Sequence, residues 1–359
     1  MKIAIVLGTR PEIIKMSPII RECGRLDIDY FILHTGQHYS YNMDKIFFDK
    51  LQLPEVKYNL NIGSGTHAEE TAKALVGIEK VILAEKPSVT LVQGDTNTVL
   101  AGAIAAAKLR ISIGHVEAGL RSSDMEMPEE INRVLADHVS DFLFAPTMRA
   151  KENLLKEGIS TEKIYVTGNT IVDSLMQNRS LIEKSDEIPD LDDKEYFLLT
   201  LHREENVDDK DKLREILEGL RLVYKEFGAP IVYPIHPRTR KRLSEFNLVA
   251  TEGIRLIEPV DYLAFLRLET RAKLVLTDSG GVQEEACILK SPCVTLRCNT
   301  ERPETLEVGA NTLVGTKPDE IVRGVRKMLK VNNNWENPFG DGTAAKQIVS
   351  ILRKNLGLP

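Results

Sequence analysis

Short apolar runs alternate with helix-length segments of mixed polarity along most of this chain. In the first half, Lys2–Leu7, Tyr30–Thr35, Ser88–Gln93, Ser112–Val116 and Phe142–Ala145 read as strands. The pattern then restarts with Glu195–Leu201, Pro230–Ile235, Gly253–Ile257, Lys273–Thr277 and Cys293–Leu296, separated by helices such as Lys210–Phe227. Strands that alternate with helices predict parallel sheets covered on both faces. Two such sets predict two doubly wound α/β domains, and 359 residues exceed the size at which one core keeps growing. Charged Leu181–Lys194, with Pro189, predicts a surface excursion near the boundary. Two such domains facing each other would bring their strand C-terminal ends around one central cleft, where sheets of this kind bind ligands.

Composition narrows the partners. A formal charge of −6, with both signs spread along the chain, leaves no basic stripe for nucleic acid. The opening Lys2–Leu7 is strand-like rather than a signal peptide, and the alanine-rich run Val99–Ala107 stops at Lys108, far short of a membrane span. A cytoplasmic protein is expected. Cys23, Cys287, Cys293 and Cys298 lack Cys-x-x-Cys spacing, which predicts buried reduced thiols and no metal.

Candidate chemistry collects just beyond the strand ends. Leu274–Thr277 runs into Asp278-Ser279-Gly280-Gly281 and then a helix-forming stretch. Two glycines let a ligand approach the backbone, and the free N–H groups of a helix start form an anion site. Ser279 adds a hydroxyl donor, and Glu284 or Glu285 has the reach to accept ribose hydroxyls, so a nucleotide is the expected ligand. A tight turn with acidic residues on the helix dipole is the plainer account. Gly8-Thr9-Arg10-Pro11-Glu12 follows the first strand, and Arg10 with Lys15 suits a diphosphate or equally a solvated basic pair. Asp95 follows the third strand and is first of all a candidate helix cap. Glu117, in His115-Val116-Glu117-Ala118-Gly119, precedes a glycine loop and is not explained by capping. Glu129 and Glu130 open a helix, where the dipole alone favours acids. His202-Arg203 and His236-Pro237-Arg238 occupy matching places and point to an anionic ligand. His34 and His38 are four apart but in a loop, so no metal is assigned. Gly63-Ser64-Gly65-Thr66-His67-Ala68 imitates a dinucleotide fingerprint, but Thr66 to Glu69 reads as a capping box opening a helix through Leu83, and no NAD is expected.

Taken in order, these motifs resemble the non-hydrolysing UDP-N-acetylglucosamine 2-epimerases. The likeness rests on Gly8-Thr9-Arg10-Pro11-Glu12 with Lys15, Gln37-His38, Gly94-Asp95-Thr96, His115 to Arg121, and Pro128-Glu129-Glu130 with Asn132-Arg133. It continues through Gly168-Asn169-Thr170, His202-Arg203, Tyr233-Pro234 with His236, Asp278 to Ala286, Glu301-Arg302-Pro303-Glu304 and Gly340-Asp341-Gly342. The resemblance implies a glycosyltransferase-B type fold of two Rossmann-like domains. Residues 1–168 would be completed by a last helix at about 342–359, and 169–341 would form the UDP-binding domain. It also implies a homodimer, no cofactor, and interconversion of UDP-N-acetylglucosamine with UDP-N-acetylmannosamine. Arg10, His202, Ser279, Gly280 and Gly281 would then hold the diphosphate and Glu285 the ribose, with His236 and Phe265 completing the UDP set. Asp95, Glu117 and Glu129 match the essential carboxylates, with Lys15 and His202 also catalytic. Many bacterial members read His-Arg-Arg-Glu where this chain has His202-Arg203-Glu204-Glu205, and Gln37–Asp44 departs from their spacing. Activation by substrate, a property of some of them, therefore does not carry over.

The chemistry explains why such residues are needed. The C2 hydrogen of the sugar has no neighbouring carbonyl and becomes removable only as the C1–O bond to UDP breaks, so acid–base groups must stand at C2 while UDP stays bound. A hydrolysing 2-epimerase, a glycosyltransferase of the same fold and a non-catalytic nucleotide-sugar sensor are the rival readings. Several carboxylates near a dianion count against the sensor.

Overall fold

The computed structural model describes residues 2–36, 41–185 and 195–357. Gln37, His38 and the Pro189 segment lie outside them, and the expected surface excursion begins inside helix Thr170–Lys184. The chain divides into two compact units, Met1–Asn178 with Phe339–Pro359, and Arg179–Pro338.

The first unit holds seven parallel strands: β1 (Lys2–Leu7), β2 (Asp29–His34), β3 (Tyr58–Asn59), β4 (Val89–Gln93), β5 (Ser112–Val116), β6 (Phe142–Ala145) and β7 (Ile164–Val166), in the order β3-β2-β1-β4-β5-β6-β7. The second holds six, β8 (Phe197–Thr200), β9 (Ile231–Pro234), β10 (Ile254–Ile257), β11 (Leu274–Thr277), β12 (Cys293–Thr295) and β13 (Asn311–Leu313), in the order β10-β9-β8-β11-β12-β13. Both are Rossmann-like, and in each the strand order reverses beside the first strand: between β1 and β4, and between β8 and β11. A ligand crevice belongs at such a point. Central strands such as Ile3 to Leu7 and Leu274 to Leu276 are buried on both faces, which is why they read as continuous apolar runs.

The units divide at 178/179 and 338/339, where the sequence suggested 168/169 and 341/342. The start of helix Thr170–Lys184 is bound into the first unit. Asp173 accepts from the N–H groups of Ala344 (3.2 Å) and Ala345 (2.9 Å), and Arg21 donates to Gln177 and Asn178, both at 2.9 Å. Asp173 thereby caps helix Ala344–Asn355, which packs on Arg10–Arg25. Cys23, Cys287 and Cys293 are buried free thiols, whereas Cys298, in the loop after β12, is exposed against expectation. No helix among the described residues is long and apolar enough to cross a membrane.

Candidate functional site

In the first unit the turn after β1 is tied to the turn after β4. Gly8 must lack a side chain because the Thr35 and Thr98 hydroxyls, 2.8 Å apart, fill the place of a Cβ. The chain then enters helix Arg10–Arg25 through a capping box of Thr9 and Glu12. Glu12 accepts from the N–H groups of Gly8 and Thr9 and from the Thr96 hydroxyl across the strand-order reversal. Burial pushes its carboxyl up to about 7, against these three donors and reinforced by Asp95.

Register places the two leading carboxylates side by side. Gln93 ends β4 opposite Val116 of β5, so Asp95 and Glu117 leave adjacent strand ends. Glu117 is held in the left-handed region at φ 69°, with its own N–H and that of Ala118 both on the Phe144 carbonyl at 3.1 Å. Its buried carboxylate accepts from Lys15 Nζ through both oxygens, each at 2.7 Å, and from the Gln93 amide. Asp95 does not cap the following helix, because Thr96 does, accepting from the Val99 N–H at 3.4 Å. Asp95 instead pairs with Arg133, whose other nitrogen donates to Glu130 at 2.8 Å. Beneath both turns, His115 Nδ1 faces Asp137 at 2.6 Å and Nε2 faces the Gly94 carbonyl at 2.8 Å. Burial alone would lower its pKa, but Asp137 and Gly94 outweigh it and hold the imidazole more basic than usual. Two acceptors at two ring nitrogens require the doubly protonated form.

In the second unit Asp278, fully buried at the end of β11, accepts from the N–H groups of His202 (3.1 Å) and Arg203 (2.9 Å) beyond β8. His202 Nδ1 lies 3.3 Å from the same carboxylate, and its ring sits 5.5 Å from that of His236. Burial lowers the pKa of both rings. Ser279 is the N-cap of helix Gly280–Leu289 but makes no capping bond, leaving first-turn N–H groups for an anion. A Cβ on Gly280 or Gly281 would meet nothing of the protein closer than 3.5 Å or 4.0 Å, and neither glycine has positive φ. Neither fold nor packing demands glycine there, and the pair leaves the backbone open to close approach. Glu284 pairs with Arg302 at 2.5 Å and is fully buried, whereas Glu285 accepts from the Tyr262 hydroxyl at 2.9 Å.

These motifs match known proteins over nearly their whole length. A family described as UDP-N-acetylglucosamine 2-epimerase matches residues 21–353. The chain belongs to the UDP-N-acetylglucosamine 2-epimerase family. It is 60% identical over 361 residues to a UDP-N-acetylglucosamine 2-epimerase of Methanocaldococcus jannaschii, covering 98% of this chain and 99% of that one. It resembles the crystal structure of the Methanocaldococcus jannaschii enzyme in complex with UDP-GlcNAc and UDP with a TM-score of 0.91, covering 99% of this chain and 100% of the other. A UDP-2,3-diacetamido-2,3-dideoxy-D-glucuronate 2-epimerase of Pseudomonas aeruginosa is 44% identical, over 99% of this chain and 100% of its own. The fold is accordingly of the glycosyltransferase-B type.

Within this family member, Lys15, Asp95 and Glu117 come together in the first unit, and His202, His236, Ser279, Gly280 and Gly281 gather in the second. Arg10 begins its helix with the guanidinium 5.9 Å from the Phe47 ring, and Phe265 packs at the edge of an apolar cluster with Leu268 and Val282. Glu129 is exposed in the first turn of its helix, while its neighbour Glu130 is built in, through Arg133 and the N–H groups of Ser122 and Ser123. Arg238, expected near an anion, is taken up by Asp208 and Glu204. Glu12 and Arg133 stood inside motifs without a part of their own, and Gln93 and Asp137 had only proximity to motif residues as a signal.

Proposed function

We propose that this protein interconverts UDP-N-acetylglucosamine and UDP-N-acetylmannosamine by a non-hydrolysing route. The observation that carries the reading is the set of polar groups in the first unit, where Glu117 and Asp95 leave neighbouring strand ends, each already held by a cation. Elimination removes the C2 proton to one of these carboxylates as the C1–O bond breaks, giving UDP and 2-acetamidoglucal. Re-addition of UDP to C1 with a proton delivered to the opposite face of C2 inverts that centre, with no net change in atoms or redox state. Glu117 and Asp95 share the acid and base roles. Lys15 aims Glu117, and exposed Glu129 contacts the sugar. The second unit binds UDP: Ser279, Gly280, Gly281 and His202 take the diphosphate, Glu285 the ribose, and His236 and Phe265 the remainder. The product would supply N-acetylmannosamine units for surface polysaccharide or glycan assembly.

Incubation with UDP-N-acetylglucosamine in D₂O without added cofactor, followed by NMR, tests this. The expected product is UDP-N-acetylmannosamine deuterated at C2. Free N-acetylmannosamine with UDP would move the protein to the hydrolysing branch, and an unchanged spectrum would sink both. The 44% identity to the diacetamido-glucuronate enzyme favours one alternative substrate, tested by the same assay with that nucleotide sugar.

A further inference from the structure

One buried carboxyl group in the second unit has no part in the chemistry above. Glu269, on helix Tyr262–Arg271, has no exposed surface, and among the described residues neither of its side-chain oxygens has a hydrogen-bond partner. The titratable groups facing it are Glu285 on helix Gly280–Leu289, Cys293 on β12 and Tyr262 on its own helix, and none is a cation. Tyr262 gives its proton to Glu285, at 2.9 Å, rather than to Glu269. Its helix neighbour Leu268 belongs, with Ala272, Val282 and Cys293, to a buried apolar cluster.

Two neighbouring carboxylates in such a place cannot both be charged without a large penalty. Glu285 has a hydroxyl donor and reaches the surface, so the charge belongs on it and the proton on Glu269. We propose that Glu269 is a neutral carboxylic acid in the working protein, which leaves the negative charge of this pair on Glu285. Burial and Glu285 both act in the same direction, holding the Glu269 carboxyl well above the usual carboxylate range.

The sign of the linkage gives a test that does not need the nucleotide. Because the unfolded chain ionises Glu269 while the folded protein keeps it neutral, stability attributable to this group is complete in acid and is lost as pH rises. Glu269→Gln removes the loss. Thermal unfolding of wild type and variant from pH 5 to pH 9 should show the variant gaining on wild type by on the order of 2 °C per pH unit. A gap that stays flat across this range overturns the proposal. Glu269→Met, apolar and of similar length, should show the same widening gap and serves if the amide disturbs packing. UDP titrated calorimetrically at pH 7 should bind wild type and Glu269→Gln within about twofold, the ligand's own ionisation cancelling in the ratio. A loss of about tenfold or more would show that an ionised Glu269 is needed, and would also overturn it. If UDP binds neither protein, the nucleotide reading fails, and the unfolding gap still decides Glu269.

Discussion

Both units place polar groups where the strand order reverses, yet they use them in opposite ways. Across β1 and β4 the groups are side chains set against one another: Lys15 and Gln93 on Glu117, Arg133 on Asp95, Glu12 on Thr96. Across β8 and β11 a single carboxylate, Asp278, fixes the backbone of His202 and Arg203, and what faces outward is a glycine turn and helix N–H groups. The first arrangement holds protonatable groups in defined states and suits proton transfer. The second is a fixed dipole with room beside it and suits an anion that must stay bound while its bond to the sugar breaks.

The contrast predicts that chemistry and binding can be removed separately. Glu117→Gln should lower kcat by about 10² to 10⁴ and leave UDP affinity within about twofold, measured by turnover and calorimetry. Equal losses in both would merge the two roles. Gly281→Ala should do the reverse. The new methyl group would meet nothing of the protein closer than the Ser279 hydroxyl at 4.0 Å, so the variant should gain about 0.4–1 kcal/mol in stability while UDP affinity falls by about tenfold or more. Unchanged affinity would return the glycine pair to being a plain turn. Arg133→Met should lower kcat about tenfold with little change in UDP binding, since it loosens Asp95 and not the phosphate turn.

A separate effect concerns pH and touches stability alone. Burial lowers the His34 pKa to about 4, so its contribution to stability is complete above its unfolded value near 6.5 and is lost as pH falls towards 4, at about 1.4 kcal/mol per pH unit. His34→Gln should flatten that acid loss in the first unit. The single tryptophan, Trp335, lies in the second unit, so its fluorescence should follow the alkaline loss assigned to Glu269 and not the acid loss assigned to His34.

Strands buried on both faces were legible in the sequence: β1, β5 and β6 begin and end where their apolar runs do. Three of the four edge strands, β3, β7 and β13, were not, being two or three residues long and half-exposed in part. Residues at strand ends were legible as candidates because parallel sheets put function there. Their partners were not. Lys15 and Glu117 are 102 residues apart and Asp95 and Arg133 are 38 apart, joined only by crossovers and register. Thr96 rather than Asp95 capping its helix could not be read from a sequence in which both are good caps. Glu269 carried no signal in the sequence, since nothing in its neighbours reveals a face turned inward.

Asp173 and helix Ala344–Asn355 have a consequence for how the molecule is made. Residues 179–338 emerge from the ribosome before 339–359, so the second unit can bury its core while the first still lacks the helix that packs on Arg10–Arg25. A chain stopped after Pro338 would carry all thirteen strands and still leave the Asp173 carboxylate without its two N–H donors. The half that carries Glu117 is begun first and finished last.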